Sequence, residues 1–385
     1  MVLKNFDKWK LPLYKIYSDD EDVELVSKII KRGSKWAIGP EIEELEHAIK
    51  EYVGTDYCLT FNSGTSALHA AFLANGIGRN DEIIVPSFSF ISTANSVLFV
   101  NAQPVFTEIE ELTYGINPEL LSEKINNNTK AIVPMDYGGM SCKIAEIKEI
   151  AESNNTLLIE DAAEGLGSSI NNKKVGSFSD SAIFSFCGNK VLTTGEGGAI
   201  VTNSKQVYDK AKLIRSHGRV DNKAYFDNEK SSNYLDIGYN WRMSSITAAL
   251  GISQLRKLDK IIKMRQKNAS YLIKGLEKNS EIILPRAFKN FEHIYQMFTI
   301  RLKNKRIRDE LQNFLTEKKI FSKIYFEPIH LSTFYREKFG FKKGDLPITE
   351  KISEQVLTIP LYPNMNKEEM DYLINSILEF FETKE

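Results

Sequence analysis

Three cysteines in 385 residues, Cys58, Cys142 and Cys187, are too few and too far apart for a disulfide framework, and none belongs to a CxxC pair. The five histidines, His47, His69, His217, His293 and His330, show neither HExxH nor any paired spacing, so no histidine-built metal centre is expected. Charge of one sign is also missing. Fifty lysines and arginines face 51 aspartates and glutamates for a net charge of −1. With no basic block, neither a nucleic acid nor an anionic membrane is an expected partner. There is no long apolar run. The least charged stretch, IIVPSFSFISTANSVLFVNAQPVF, is broken by Pro86, Asn95, Asn101 and several serines, and reads as buried core rather than a membrane span. The opening MVLKNFDKWKLPLYK carries charge throughout, so no secretory leader is expected and a reducing cytoplasm is the expected compartment. GxGxxG and GxxxxGK[ST] are both absent, which removes the usual signals for a dinucleotide or a nucleoside triphosphate.

What remains is the composition of a globular protein, 42% hydrophobic and 26% charged. From 57 to 202 short apolar runs alternate with helical periods: YCLTF before TSALHAAFLANG, EIIVP before STANSVLFVN, KAIVPMDY before AEIKEIAESNN, then TLLIED, SAIFSF and GGAIVTN. Strands separated by helices predict an α/β fold with a mostly parallel central sheet. Residues 244 to 278 predict one long helix. After Pro285 the texture shifts to a smaller α+β unit, with HIYQMFTIRL and KIFSKIYF as strands and RDELQNFLTEKK and KEEMDYLINSILEFFE as helices. The chain divides into a large domain over 1–250, N-terminal segment included, and a small C-terminal domain over 251–385.

Three segments at predicted strand ends carry chemistry, since ligands of open α/β sheets sit at the carboxyl ends of strands. In FNSGTSAL, Gly64 permits close backbone approach, and Thr65 and Ser66 stand at a helix N-terminus, where a phosphate is favoured. The same residues also read as a plain N-cap. In LLIEDAAEG, Glu160 and Asp161 point to opposite faces of a strand, and Asp161 has small neighbours beside it. It could hold a pyridinium nitrogen protonated or simply cap a helix. In SAIFSFCGNKVLTTGEGG, Lys190 follows a strand and precedes a glycine-rich turn, either as a solvated loop charge or as a nucleophile. A phosphate cradle, an acid for a ring nitrogen and one lysine, taken together, match the needs of pyridoxal phosphate.

NSGTSALHAA, EDAAEGLGS, FSFCGNKVLTTGEGGAIVT and YNWRMSSITAALGISQL resemble the DegT/DnrJ/EryC1/StrS family of sugar aminotransferases. The resemblance extends from GSKWAIGPEIEELEHAIKEYVG to YFEPIH and LPITEKISEQVLTIPLYP. It implies the pyridoxal-phosphate fold of aspartate aminotransferase (fold type I), with Lys190 as Schiff-base lysine and proton shuttle. By the same resemblance Asp161 pairs with the pyridine nitrogen, Glu164 stands near the ring hydroxyl, and Phe90 stacks on the ring, with Phe88 as rival. Gly64, Thr65 and Ser185 match phosphate contacts. Asn240 resembles a residue lent to the neighbouring subunit's phosphate, which makes a homodimer with composite sites the expected partner arrangement; Arg242 reads as structural. His217 and His330 match positions that face a sugar nucleotide, or serve structurally. Cys187 reads as packing. The implied substrates are glutamate and a nucleotide-linked keto sugar, and GNK..TTGEGG resembles the perosamine synthase branch, which aminates carbon 4. The alternatives are amination at carbon 3, a sugar dehydratase, and a non-enzymatic regulatory or scaffold protein. The dehydratases replace the lysine with histidine, whereas position 190 here is lysine.

Overall fold

A computed structural model describes residues 8–219 and 233–383. In the first half of the chain lie β1 (Tyr57–Phe61), β2 (Glu82–Pro86), β3 (Gln103–Thr107), β4 (Thr129–Ile132), β5 (Leu157–Asp161), the two-residue β6 (Ser169–Ile170) and β7 (Lys173–Lys174), β8 (Ser181–Ser185) and β9 (Gly198–Thr202). Seven of them form one sheet in the order β1-β9-β8-β5-β4-β2-β3. All pairings are parallel except those of β9, which runs against both β1 and β8.

The apolar runs are buried on both faces, and their alternation sorts side chains between two cores. Leu59, Phe61, Ile83, Val85, Ile159, Ile183 and Ile200 enter one core with the helix Gly64–Ala74. Cys58, Ala182, Phe184, Ala199 and Val201 enter the other with Ile42, Leu45 and Ile49 of the helix Pro40–Val53. In register, Gly198 of β9 stands between Phe61 of β1 and Ser185 of β8, and Asp161 of β5 lies beside Ile183. The carboxyl ends of β1, β5 and β8 therefore share one edge of the sheet.

The smaller unit is built on an antiparallel sheet of β10 (Ile282–Ile283), β12 (Phe298–Leu302) and β13 (Val356–Ile359), while β11 (Phe291–Glu292) pairs with β6. Helices Lys305–Glu317 and Lys367–Glu382 cover it where the sequence predicts them. Two expectations change. The long helix is two, Ser245–Arg256 and Leu258–Leu276, joined at Lys257. That lysine is buried and lies 3.0 Å from Asp22. The second helix gives Ile261 and Ile262 to a large-domain core but Ala269, Leu272 and Leu276 to the small-domain core, so the core changes hands beyond residue 250. KIFSKIYF forms no ladder, only single bridges from Ile320 to Leu11 and from Lys323 to Thr358. Instead VLTI of β13 pairs with β12, because all four of its residues are buried.

Candidate active site

The sheet edge assembles a site from three directions. β5 delivers Asp161 and the turn after it delivers Glu164; β8 leads into the Cys187–Lys190 turn, closed by the Lys190 amide on the Cys187 carbonyl at 2.9 Å. Lys190 Nζ points inward and donates to Glu164 Oε1 at 3.1 Å, with side-chain exposures of 13% and 3%. This is not the geometry of a solvated loop lysine. The other oxygen of Glu164 accepts from the Gly138 amide at 2.9 Å.

Asp161 is buried. Its Oδ2 accepts from Thr93 Oγ1 at 2.6 Å and its Oδ1 from the Ala163 amide at 3.3 Å. Burial pushes this carboxyl above its ordinary value, opposed by the Thr93 hydrogen bond, the Ala163 amide and the Lys190 charge. A buried carboxyl short of positive charge has most to gain from a cationic partner. Glu160 turns the other way, as strand alternation requires, and accepts from the Gly176 amide at 3.0 Å and Ser179 Oγ at 3.1 Å.

The helix Gly64–Ala74 opens toward the same edge. Ser63 is its N-cap and accepts from the Ser66 amide at 3.1 Å. The plain capping role thus falls to Ser63, while the first amides of the helix begin at Gly64 and Thr65. A Cβ on Gly64 would lie 3.0 Å from Ser185 Cβ, so the helix start and the end of β8 touch only because residue 64 is glycine. Helix N-terminal amides facing a serine hydroxyl make a cradle suited to a phosphate. These residues fit pyridoxal phosphate: an inward-facing amine, a buried carboxyl and an anion cradle converge on one edge.

Of the two phenylalanines, Phe88 is fully buried among Tyr114, Tyr137 and Phe326. Phe90 is 55% exposed at the N-cap of the helix Ile91–Phe99, the only one of the pair with a free face. Asn240 is exposed and pairs by its backbone with Ser216, so the exposed His217 lies on the same surface. Arg242 bonds Ser216 Oγ at 3.2 Å. Of the two readings open for His330, facing a substrate or serving structurally, its surroundings favour the second. It is fully buried, with Nδ1 2.7 Å from Ser87 Oγ and Nε2 3.2 Å from Glu350 Oε1, so both ring nitrogens serve the fold. Burial foremost lowers its pKa. Cys187 Sγ lies 3.7 Å from Glu196 Oε1.

Sequence reasoning missed Thr93, Ser89, Gly138 and Tyr325. Ser89 Oγ lies 2.7 Å from Thr93 Oγ1 and so backs the Asp161 contact. Tyr325 senses Glu164, Tyr14 and Cys187, although burial is the main cause raising its phenol. Only the FSFIST stretch carried a usable signal, hydroxyls flanking an exposed aromatic. Among the described residues, no group of three or more His, Cys, Asp or Glu is placed to hold a metal, and no helix is long and apolar enough to cross a membrane.

Residues 17–378 match the DegT/DnrJ/EryC1/StrS aminotransferase family. The chain belongs to that family. It is 34% identical over 376 residues to the GDP-perosamine synthase of Escherichia coli O157:H7, covering 97% of this chain and 99% of the relative. It is 32% identical over 369 residues to the UDP-4-amino-4,6-dideoxy-N-acetyl-beta-L-altrosamine transaminase of Campylobacter jejuni, covering 94% and 96%. Among solved structures, the Helicobacter pylori aminotransferase PseC, involved in pseudoaminic acid biosynthesis, superposes with a TM-score of 0.90 at 29% identity over 97% of this chain and 99% of that one. The protein is a sugar aminotransferase of fold type I, and pyridoxal phosphate is its cofactor.

Proposed function

We propose that this aminotransferase moves the amino group of glutamate to carbon 4 of a nucleotide-linked 4-keto-6-deoxy sugar, giving a 4-amino sugar for a surface polysaccharide or glycan such as an O-antigen. The carrying observation is the inward Lys190 amine, 3.1 Å from Glu164 on the sheet edge that also holds Asp161. The position of amination rests on GNKVLTTGEGG and on the C4 amine in the name of the Campylobacter relative. Amination at carbon 3 is the competing outcome. The dehydratase reading and the non-enzymatic one both lose ground to a lysine at 190 in an intact acid–amine pair.

When bound, the cofactor supplies an electron sink and a carrier for the amino group. The chain's residues have separate tasks. Lys190 Nζ would hold the cofactor and is the amine placed to move a proton at the reacting carbon. Asp161 keeps the ring nitrogen protonated, and Thr93 and the Ala163 amide hold that carboxylate in place. Gly64, Thr65 and Ser185 would hold the phosphate, Phe90 and Glu164 would hold the ring, and Glu164 orients Lys190. Asn240 reaches the phosphate of a second copy, and His217, on the same surface, meets the nucleotide sugar there. Shifting a carbonyl by one ring position moves the reacting atom by about 1.5 Å, and about 1 Å of misplacement costs on the order of a hundredfold in rate. One regiochemistry should therefore dominate. The test is incubation with glutamate and a panel of GDP-, dTDP- and UDP-linked 4-keto-6-deoxy sugars and their 3-keto isomers, with products identified by NMR. A 4-amino product supports the reading; a main 3-amino product assigns carbon 3 instead.

A further inference from the structure

Arg265 is buried, yet its guanidinium donates to backbone carbonyls, Nε to Tyr295 O and Nη2 to Gln296 O, each at 2.8 Å. Burial lowers its pKa to about 10. Its neighbour Gln266 donates to His293 O at 3.1 Å. The helix Leu258–Leu276 thus grips the chain at 293, 295 and 296, just before β12. That gripped segment has two contacts with the active site. On one side, the Ile294 amide donates to Gly139 O at 2.9 Å and the Met297 amide to Gly138 O at 3.1 Å. Gly138 is the residue whose own amide holds Glu164 Oε2. Gly139 has φ +95°, and a Cβ there would lie 2.6 Å from the Gln296 nitrogen, so the two backbones meet only at glycine. On the other side, the buried Gln296 side chain donates through Nε2 to Asn189 O at 2.8 Å, in the residue preceding Lys190.

We propose that Gln296, anchored by Arg265, is a positioning residue for Lys190. It fixes the Asn189 carbonyl while the adjoining backbone fixes the turn that holds Glu164, so one segment sets both members of the Lys190–Glu164 pair. A guanidinium that places carbonyls in a dry interior resists displacement, because breaking its bonds would leave a buried charge unsatisfied. The amide of Gln296 is the removable part. Without it the turn carrying Lys190 loses its tie to the C-terminal unit, while Gly138 still holds Glu164. The amine then samples positions away from its partner.

The inference rests on Lys190 being the lysine that captures the cofactor, and its test does not involve the sugar. Apo protein is mixed with pyridoxal phosphate and covalent capture at Lys190 is followed by the visible absorbance band. Borohydride reduction and peptide mass place the linkage. The variants are Gln296→Met, which keeps the volume without a donor, and Gln296→Ala. The expected result is capture about tenfold slower and a displaced pH midpoint of the visible band. Gln296→Met should keep the wild-type thermal midpoint to within a few degrees, so slow capture in it is not unfolding. Wild-type capture rate and band midpoint in a folded Gln296→Met would overturn the proposal. A wild type that captures cofactor at Lys190 but aminates no sugar in the panel would count against the proposed substrate and leave this inference standing.

Discussion

At the residue scale the proposed roles of Lys190 and Asp161 differ, and their substitutions should fail differently. Lys190→Ala removes the amine bonded to Glu164 and should lower turnover by at least about a thousandfold with folding retained. Borohydride should fix the cofactor to the wild type and not to the variant. Asp161→Asn should still bind cofactor but lose on the order of a hundredfold in kcat, because an amide does not stabilise a protonated ring nitrogen. Near-normal rates in Asp161→Asn would move that role elsewhere. The place of each in the fold was legible in the sequence, an acid at the end of one strand and a lysine in the turn after another. His330 was not, since a motif match carries no information about burial. Also illegible was a pair of buried carboxyls, Asp136 and Glu160. Burial raises both, Asp136 to about 6 and Glu160 well above its usual value, with the Asp136 charge adding to the rise of Glu160, and Asp136 Oδ2 and Glu160 Oε1 have no hydrogen-bond partner among the described residues. A folded pKa raised from 3.8 to about 6 means that the stability from Asp136 is full below 3.8 and lost as pH rises through about 6. Asp136→Asn can still accept from the Cys142 amide, as the aspartate does at 2.9 Å, and can donate to Glu160. The thermal midpoint of Asp136→Asn relative to wild type should climb as pH rises from 5 to 8. A constant difference across that range would show that Asp136 does not change its charge there.

At the scale of the element, the phosphate cradle is a helix start pressed against a strand end. Gly64→Ala places a methyl 3.0 Å from Ser185 Cβ and must push the helix start away from β8. The backbone of residue 64 accepts alanine, so the cost should appear in cofactor binding rather than folding. Affinity for pyridoxal phosphate should fall about tenfold, equivalent to ~1.4 kcal/mol, as measured by equilibrium titration of the absorbance band. Unchanged affinity would place the phosphate elsewhere. The strands of the large sheet were legible because runs such as EIIVP and LLIED bury both faces and are bounded by turn residues. KIFSKIYF was not, because strand propensity alone makes no ladder: the run meets the outer edge of β13 at a single bridge, Lys323 to Thr358. The break at Lys257 was hidden for a similar reason. Helical periodicity continues across it, and what bends the chain is a buried lysine drawn to Asp19 and Asp22, more than 230 residues away in sequence.

For the whole molecule, the passage of the helix Leu258–Leu276 from one hydrophobic core to another was not legible, since both halves of that helix carry similar numbers of apolar residues. Asn240 raises the question of assembly. It is exposed, and its backbone carbonyl lies 3.5 Å from Asn62 Nδ2, just ahead of the Gly64 cradle. A residue so placed can serve a second copy across a two-fold axis. Mixing inactive Lys190→Ala with inactive Asn240→Ala should then restore activity as subunits exchange, toward a quarter of the wild-type sites at most for equal random mixing. Full activity in a sedimenting monomer would exclude a composite site. The central claim, that an amino group passes from glutamate to ring carbon 4 of a nucleotide-linked sugar, is tested most directly by isotope. The protein, pyridoxal phosphate, 15N-glutamate and a nucleotide-linked 4-keto-6-deoxy sugar are incubated together and the product is read by 15N-resolved NMR. The account predicts 15N bonded to carbon 4 with one 2-oxoglutarate formed per sugar. Label that remains in glutamate across the whole sugar panel, with cofactor bound at Lys190, would contradict it.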